Sequence, residues 1–265
     1  MNENTDVPPG SPVPRPDDPW TLLRQSTPAR IALGRSGNAM PTREVLRFSL
    51  DHARARDAVH CALDVQALQQ QLTLLGRDSL CVSSSAPNRA SYLRRPDLGR
   101  RLSRQDAARL DALAMPPGDL CLVLADGLSA QAVQRHALPV LQALWERLPA
   151  AWLVAPVVLA TQARVALGDD IASRLRSRMV AVLIGERPGL SSPDSMGIYL
   201  TWAPRTGCLD SQRNCLSNIR PQGLTYAEAA SRLAWLMREA ASRGITGVAL
   251  KDESQAAPRL PGAPG

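Results

Sequence analysis

LCLVLADGLS, residues Leu120–Ser129, is the stretch that decides the fold class. Leu120–Ala125 is apolar without alternation and of strand length, the texture of a strand buried on both faces. It runs directly into Asp126 and Gly127, a turn that Ser129 can follow as a helix cap. Trp152–Leu159, Met179–Ile184 and Ile198–Trp202 have the same texture. Between them, Ser129–Arg147 and Gly168–Ser177 can form crossover helices. The pattern predicts a doubly wound α/β fold: a Rossmann-like, mostly parallel sheet with helices on both faces.

Working outward, the amino-terminal side changes character. A short helix is expected over Trp20–Ser26, then an irregular stretch, Ile31–Asn38, and a longer helix opened by Pro41. Val45, Phe48, His52, Ala55 and Val59 recur at helical spacing, with Leu46, Leu50 and Ala53 widening the stripe, so His52 reads as a packed interface residue. Asp64–Leu74 completes a small helical lobe. On the carboxyl side, Thr225 and Glu228 form a TxxE capping box. Tyr226, Ala230, Leu233, Met237 and Ala240 make its stripe, and Gly244 supplies the stop. The expected organisation is a flexible tail over 1–18, the helical lobe over 19–77, the Rossmann-like domain over 78–250 and a second tail over 251–265.

Composition removes several functions. The formal charge of +7 is almost wholly arginine, since Lys251 is the sole lysine. No Gly-Lys-Ser/Thr phosphate loop exists, and a Schiff base would have to use a lysine beside the tail. Five Trp, three Tyr and one Phe are too few for stacking platforms, and acidic residues are spread among the arginines, so no nucleic-acid partner is expected. The five cysteines and three histidines show no metal-ligand spacing, and no metal site is expected. No run approaches the roughly 20 apolar residues of a membrane span. There is no signal-peptide pattern either, and the expected location is the cytoplasm. GxGxxG and GxSxG are both missing.

Ligands of open α/β sheets bind at the carboxyl ends of strands. Two acidic residues occupy such ends: Asp126, after Leu120–Ala125, and Glu186, in the glycine-flanked loop after Met179–Ile184. The bland alternative is a pair of ordinary turns with a local Glu186–Arg187 salt link. The cluster Arg94, Arg95, Arg100, Arg101 and Arg104 is either a solvated face or a docking surface for carboxylates or a phosphate.

Five ordered segments carry a family resemblance: PARIALGRSG (Pro28–Gly37), YLRRPDLGRRL (Tyr92–Leu102), ADGLS (Ala125–Ser129), VLIGERPGL (Val182–Leu190) and CLSNI (Cys215–Ile219). With them the chain resembles the light chain, or small subunit, of ethanolamine ammonia-lyase, over roughly Trp20–Gly244. The resemblance implies adenosylcobalamin as cofactor, held at the interface of a hetero-oligomer with a large barrel subunit. That partner binds ethanolamine and carries the radical chemistry that yields acetaldehyde and ammonia. Carried over by motif, the cofactor contacts are Val165 in QARVALGDD, Glu186 in IGERPGL and Cys215 in RNCLSNI, with no catalytic residue in this chain. No DxHxxG pattern is present, so the cofactor is expected to keep its own base. The family also associates with bacterial microcompartments, a second candidate location. The alternatives are a Rossmann-like nucleotide-binding or regulatory module without lyase activity, and an arginine-rich interaction protein without a cofactor.

Overall fold

The computed structural model describes residues 19–27 and 29–254; the expected tail over 1–18, most of the tail over 251–265 and Pro28 of the first motif lie outside the described residues. The chain divides into two compact units with the boundary between His52 and Ala53.

The first unit holds α1 (Pro19–Ser26), a turn bridged between Ser36 and Ala39, and the opening part of α2 (Thr42–His60). Arg30 pairs with Asp51 at 2.7 Å and lies over the Phe48 ring. The opening part of the apolar stripe expected to pack is open instead: exposure runs from 44% at Val45 to 63% at Leu46, and His52 is exposed as well, whereas Ala53, Ala55 and Val59 are half-buried. Helical spacing gives the apolar positions along a helix, not what covers them.

The second unit is α/β, built on one six-stranded mixed sheet of order β1-β3-β2-β4-β5-β6. The strands are β1 (Ser79–Ser83), β2 (Gly118–Ala125), β3 (Val157–Thr161), β4 (Ser177–Gly185), β5 (Met196–Trp202) and β6 (Arg213–Ile219). β1, β3, β2 and β4 run parallel, whereas β5 and β6 are each antiparallel to their predecessor. The sheet is thus mixed but still mostly parallel: β5 alone runs against the other five strands. The return over 186–195 contains no helix, and a parallel partner needs a crossover of a dozen or more residues, usually helical. The strand expected over Trp152–Leu159 begins later, immediately after Pro156, which has no N–H to give a ladder.

Helices cover both sides of the sheet. One apolar cluster joins α3 (Val65–Leu74), α6 (Ala130–Trp145) and α8 (Tyr226–Arg243) through Leu68, Leu141, Leu233 and Met237. The other joins α5 (Arg104–Ala112) and α7 (Leu167–Arg174) through Leu110, Leu167 and Ile171, against Val180, Val182 and Ile184 of β4. A short α4 (Arg89–Arg94) lies between β1 and α5. The caps form as the sequence suggests: Thr225 and Glu228 close the box on α8, and Gly244 ends it at φ 70°. Such a cap is worth about 1 kcal/mol. Among the described residues no helix is long and apolar enough to cross a membrane.

One buried ion pair ties α7 to β6. Arg213 and Asp169 form two hydrogen bonds of 2.7 Å, with both side chains 1% exposed. Arg213 also donates to Thr201 Oγ1 and to the Cys208 carbonyl, each at 2.9 Å. Burial pushes the Asp169 carboxyl up, and the Arg213 hydrogen bonds oppose it. Arg213→Met should lower the unfolding free energy by about 3–5 kcal/mol, because it leaves a buried charge uncompensated. Adding Asp169→Leu should return much of that loss, and urea denaturation of the two variants measures both steps.

Candidate functional site

Two turns meet at the carboxyl edge of the sheet, one after β2 and one after β4. The Leu128 N–H donates to the Gly185 carbonyl at 2.9 Å. A Cβ at Gly127 would sit 2.3 Å from the Gly185 oxygen, and one at Gly185 would sit 1.9 Å from the Ser129 oxygen. Backbone packs on backbone here, which only glycine permits. The contact fixes where Glu186 leaves the sheet.

Alternation along β4 puts Val182, Ile184 and then Glu186 on one face, the face that α7 covers. Glu186 is half-buried. Ser195 Oγ donates to its Oε2, and the Asn218 N–H lies 3.3 Å from both carboxylate oxygens. A Cβ at Gly197 would come within 2.9 Å of Oε1, so the missing side chain leaves the carboxylate its place. Among the described residues no ion pair joins Glu186 to Arg187, so the local salt link is corrected to a serine and a main-chain donor.

Cys215 lies in the next columns of the same face. Its partner across β5 is Tyr199, whose own partner on β4 is Val182. α7 covers β4, but Tyr199 is only half-buried, and Cys215 and Ser217 are exposed. The result is an open shelf on β5 and β6. Burial pushes the Tyr199 hydroxyl up, with Cys215 adding to the shift through a shared hydrogen bond and Glu186 adding further. The Cys215 thiol is raised by the surrounding bulk, against the pull of the Tyr199 hydrogen bond.

Val165 stands at the α7 side of this shelf. It is half-buried against the cluster that contains Val182 and against which Tyr199 also packs. Its loop is held from two sides. The buried Asp126 carboxylate accepts the N–H groups of Gln162 and Ala163, each at 2.9 Å, and a guanidinium N–H of Arg89 at 3.2 Å. On the other side, the Tyr92 hydroxyl donates to the Ala163 carbonyl at 3.0 Å, while Arg89 and Arg164 lie over the Tyr92 ring. Burial raises the Asp126 carboxyl, opposed by those donors. Asp126 is thus a clamp on the β3–α7 loop and does not face the shelf.

Val165 in the β3–α7 loop, Glu186 just past β4 and Cys215 on β6 thus lie toward the same side of the sheet. Ser195, Gly197, Tyr199 and Asn218 complete their surroundings, and no local signal pointed to them. Only the antiparallel return of β5 and β6 brings them in. A cavity of about 590 Å³ lies elsewhere, at the ends of β1 and β3 among Ser83, Ser84, Ser85, Arg104 and Gln162, and includes none of the three. Arg94, Arg95, Arg100, Arg101 and Arg104 are all exposed.

Comparison with known proteins bears on the chain as a whole. Residues 17–251 match the family model for the ethanolamine ammonia-lyase light chain. The chain is 55% identical over 254 residues to the ethanolamine ammonia-lyase small subunit of Azotobacter vinelandii, covering 94% of each. It is 54% identical over 247 residues to the protein of that name in Pseudomonas putida strain W619, covering 92% of this chain and 91% of the relative. With the small subunit of Pseudomonas aeruginosa strain LESB58 it shares 55% over 243 residues, 90% of this chain and 89% of that one.

The loop that carries Glu186 back to β5 has a titratable anchor. Arg135 holds Asp194 Oδ2 at 2.8 Å, and His136 Nε2 lies 3.5 Å from the same oxygen. His136 Nδ1 shares a hydrogen bond of 2.8 Å with the Tyr226 hydroxyl. Burial lowers the His136 pKa below its ordinary 6.5, with Asp194 acting against the shift. The folded state thus resists a proton that the unfolded chain accepts. Stability from this group is complete above about pH 6.5 and declines as the pH falls below it. Melting temperatures measured between about pH 7.5 and 5.5 should drop for the native chain and flatten for His136→Gln.

Proposed function

The chain belongs to the ethanolamine ammonia-lyase light-chain family, and on that premise we propose that it holds adenosylcobalamin at an interface with a large catalytic subunit. It is the small subunit of a carbon–nitrogen lyase. The observation that supports the cofactor reading is the open β5–β6 shelf, with Cys215 on it, Glu186 at the end of β4 beside it and the Val165 loop at its α7 side. In this reading 19–77 is a helical lobe, and 78–250 is the Rossmann-like domain that presents the shelf.

The residues present fit such a group. A corrin is broad and rimmed with amides, and an oxygen of Glu186 keeps lone pairs to accept an amide N–H. Val165 and the Tyr199–Cys215 pair offer apolar and weakly polar surface beside it, where a broad ring can pack. Bound there, the cofactor supplies cobalt–carbon homolysis for the conversion of ethanolamine to acetaldehyde and ammonia. The chain's own work is to bind and orient. With no DxHxxG pattern in the chain, the cofactor would keep its own base. The exposed arginines from Arg94 to Arg104 are the proposed docking surface for acidic groups of the large subunit, which binds the ethanolamine.

Ammonia release from ethanolamine should require this chain, the large subunit and adenosylcobalamin together. Omitting any one should abolish it; release by the large subunit and cofactor without this chain would refute the subunit role. Glu186→Ala should weaken cofactor retention by roughly 10- to 100-fold, the range expected for a hydrogen bond to a charged group, with assembly intact. Retention of the red corrin spectrum after desalting measures that loss.

A further inference from the structure

Glutamate is a flexible side chain, and ordering one on binding costs up to about 2 kcal/mol of rotamer freedom. The surroundings of Glu186 remove that freedom in advance, chiefly through Ser195. The two residues meet twice: the Glu186 N–H donates to the Ser195 carbonyl at 2.9 Å, and Ser195 Oγ donates to Glu186 Oε2. Ser195 is buried, which leaves its hydroxyl little access to solvent.

The donor is also fixed in place. Ser129, the cap of α6, donates to the Pro193 carbonyl at 2.9 Å, and Arg135 of α6 holds Asp194 at 2.8 Å. Both residues preceding Ser195 are thus fastened to one helix. The remaining donor to the carboxylate, the Asn218 N–H, stands off at 3.3 Å and is shared between the two oxygens. It is the weaker constraint.

We propose that Ser195 is a positioning residue, which sets the Glu186 carboxylate on the shelf so that one oxygen remains available to the cofactor. The inference rests on the reading of Glu186 as cofactor-facing. It adds a residue that touches no cofactor and acts through another, by preorganisation.

The test is titration of the assembled large–small complex with adenosylcobalamin, followed by absorbance, together with thermal unfolding of each complex. Ser195→Ala should weaken binding roughly fivefold with at most a small drop in melting temperature. Ser195→Cys, which keeps a side chain of similar shape but a weaker donor, should fall between. In the Glu186→Ala background, Ser195→Ala should have no further effect, because the group it positions is gone. Native affinity in Ser195→Ala, alongside a loss in Glu186→Ala, would overturn the proposal. So would a fivefold loss that persists without Glu186, since that marks a general structural role. Native affinity in Glu186→Ala would instead remove the reading of Glu186 on which the proposal stands.

Discussion

Residues 186–195 are too few to build the helix that a parallel crossover needs, so the chain leaving β4 can only turn back beside it. The consequences run through the rest of the site. β5 lies antiparallel to β4, β6 follows in the same sense, and the face of these two strands extends beyond the helix that covers β4. A longer return could have brought its own helix to lie over Tyr199 and Cys215. The brevity of the loop is what leaves a flat, accessible surface, and it also holds Ser195 against the glutamate that opens the loop.

Each loop bordering that surface is held by a buried polar group with its partners supplied. Asp169 and Arg213 join α7 to β6. Asp126 gathers two main-chain N–H groups from the β3–α7 loop. The glycine contact between the β2 and β4 turns adds a steric constraint that no rotamer change can relieve. Ion pairs of this kind contribute little net stability against an apolar replacement, since desolvation offsets much of the attraction. What they give is geometry: each has one satisfactory arrangement, and a loop joined to it inherits that arrangement.

The sequence was most readable where local rules and burial agree. LCLVLA and MVAVLI are strands, the TxxE box and Gly244 bound α8, and Ser129 caps α6. Asp126 and Glu186 could be placed at strand ends, but not separated into a clamp and a shelf residue, because that depends on the face each one meets. β6 escaped notice because RNCLSNI is an edge strand with short polar residues and little apolar alternation. The direction of β5 was legible in principle from the length of the loop before it. Ser195 and Asn218 were not legible, since their importance arises from strand pairing across the return. The stripe on α2 shows the converse limit: its spacing is regular, yet Val45, Leu46, Phe48 and Leu50 are open.

β6 lies near the end of the chain, and two separate parts of the structure wait on it. During synthesis β1 to β4, the Asp126 clamp and Glu186 all emerge before residue 213, yet domains generally fold as units. Until residue 213 is made, Asp169 lacks its guanidinium partner and Glu186 lacks Asn218. One strand thus supplies both the charge that partners Asp169 and a donor to Glu186, so a chain cut short before it would have neither a finished shelf nor a compensated core carboxylate.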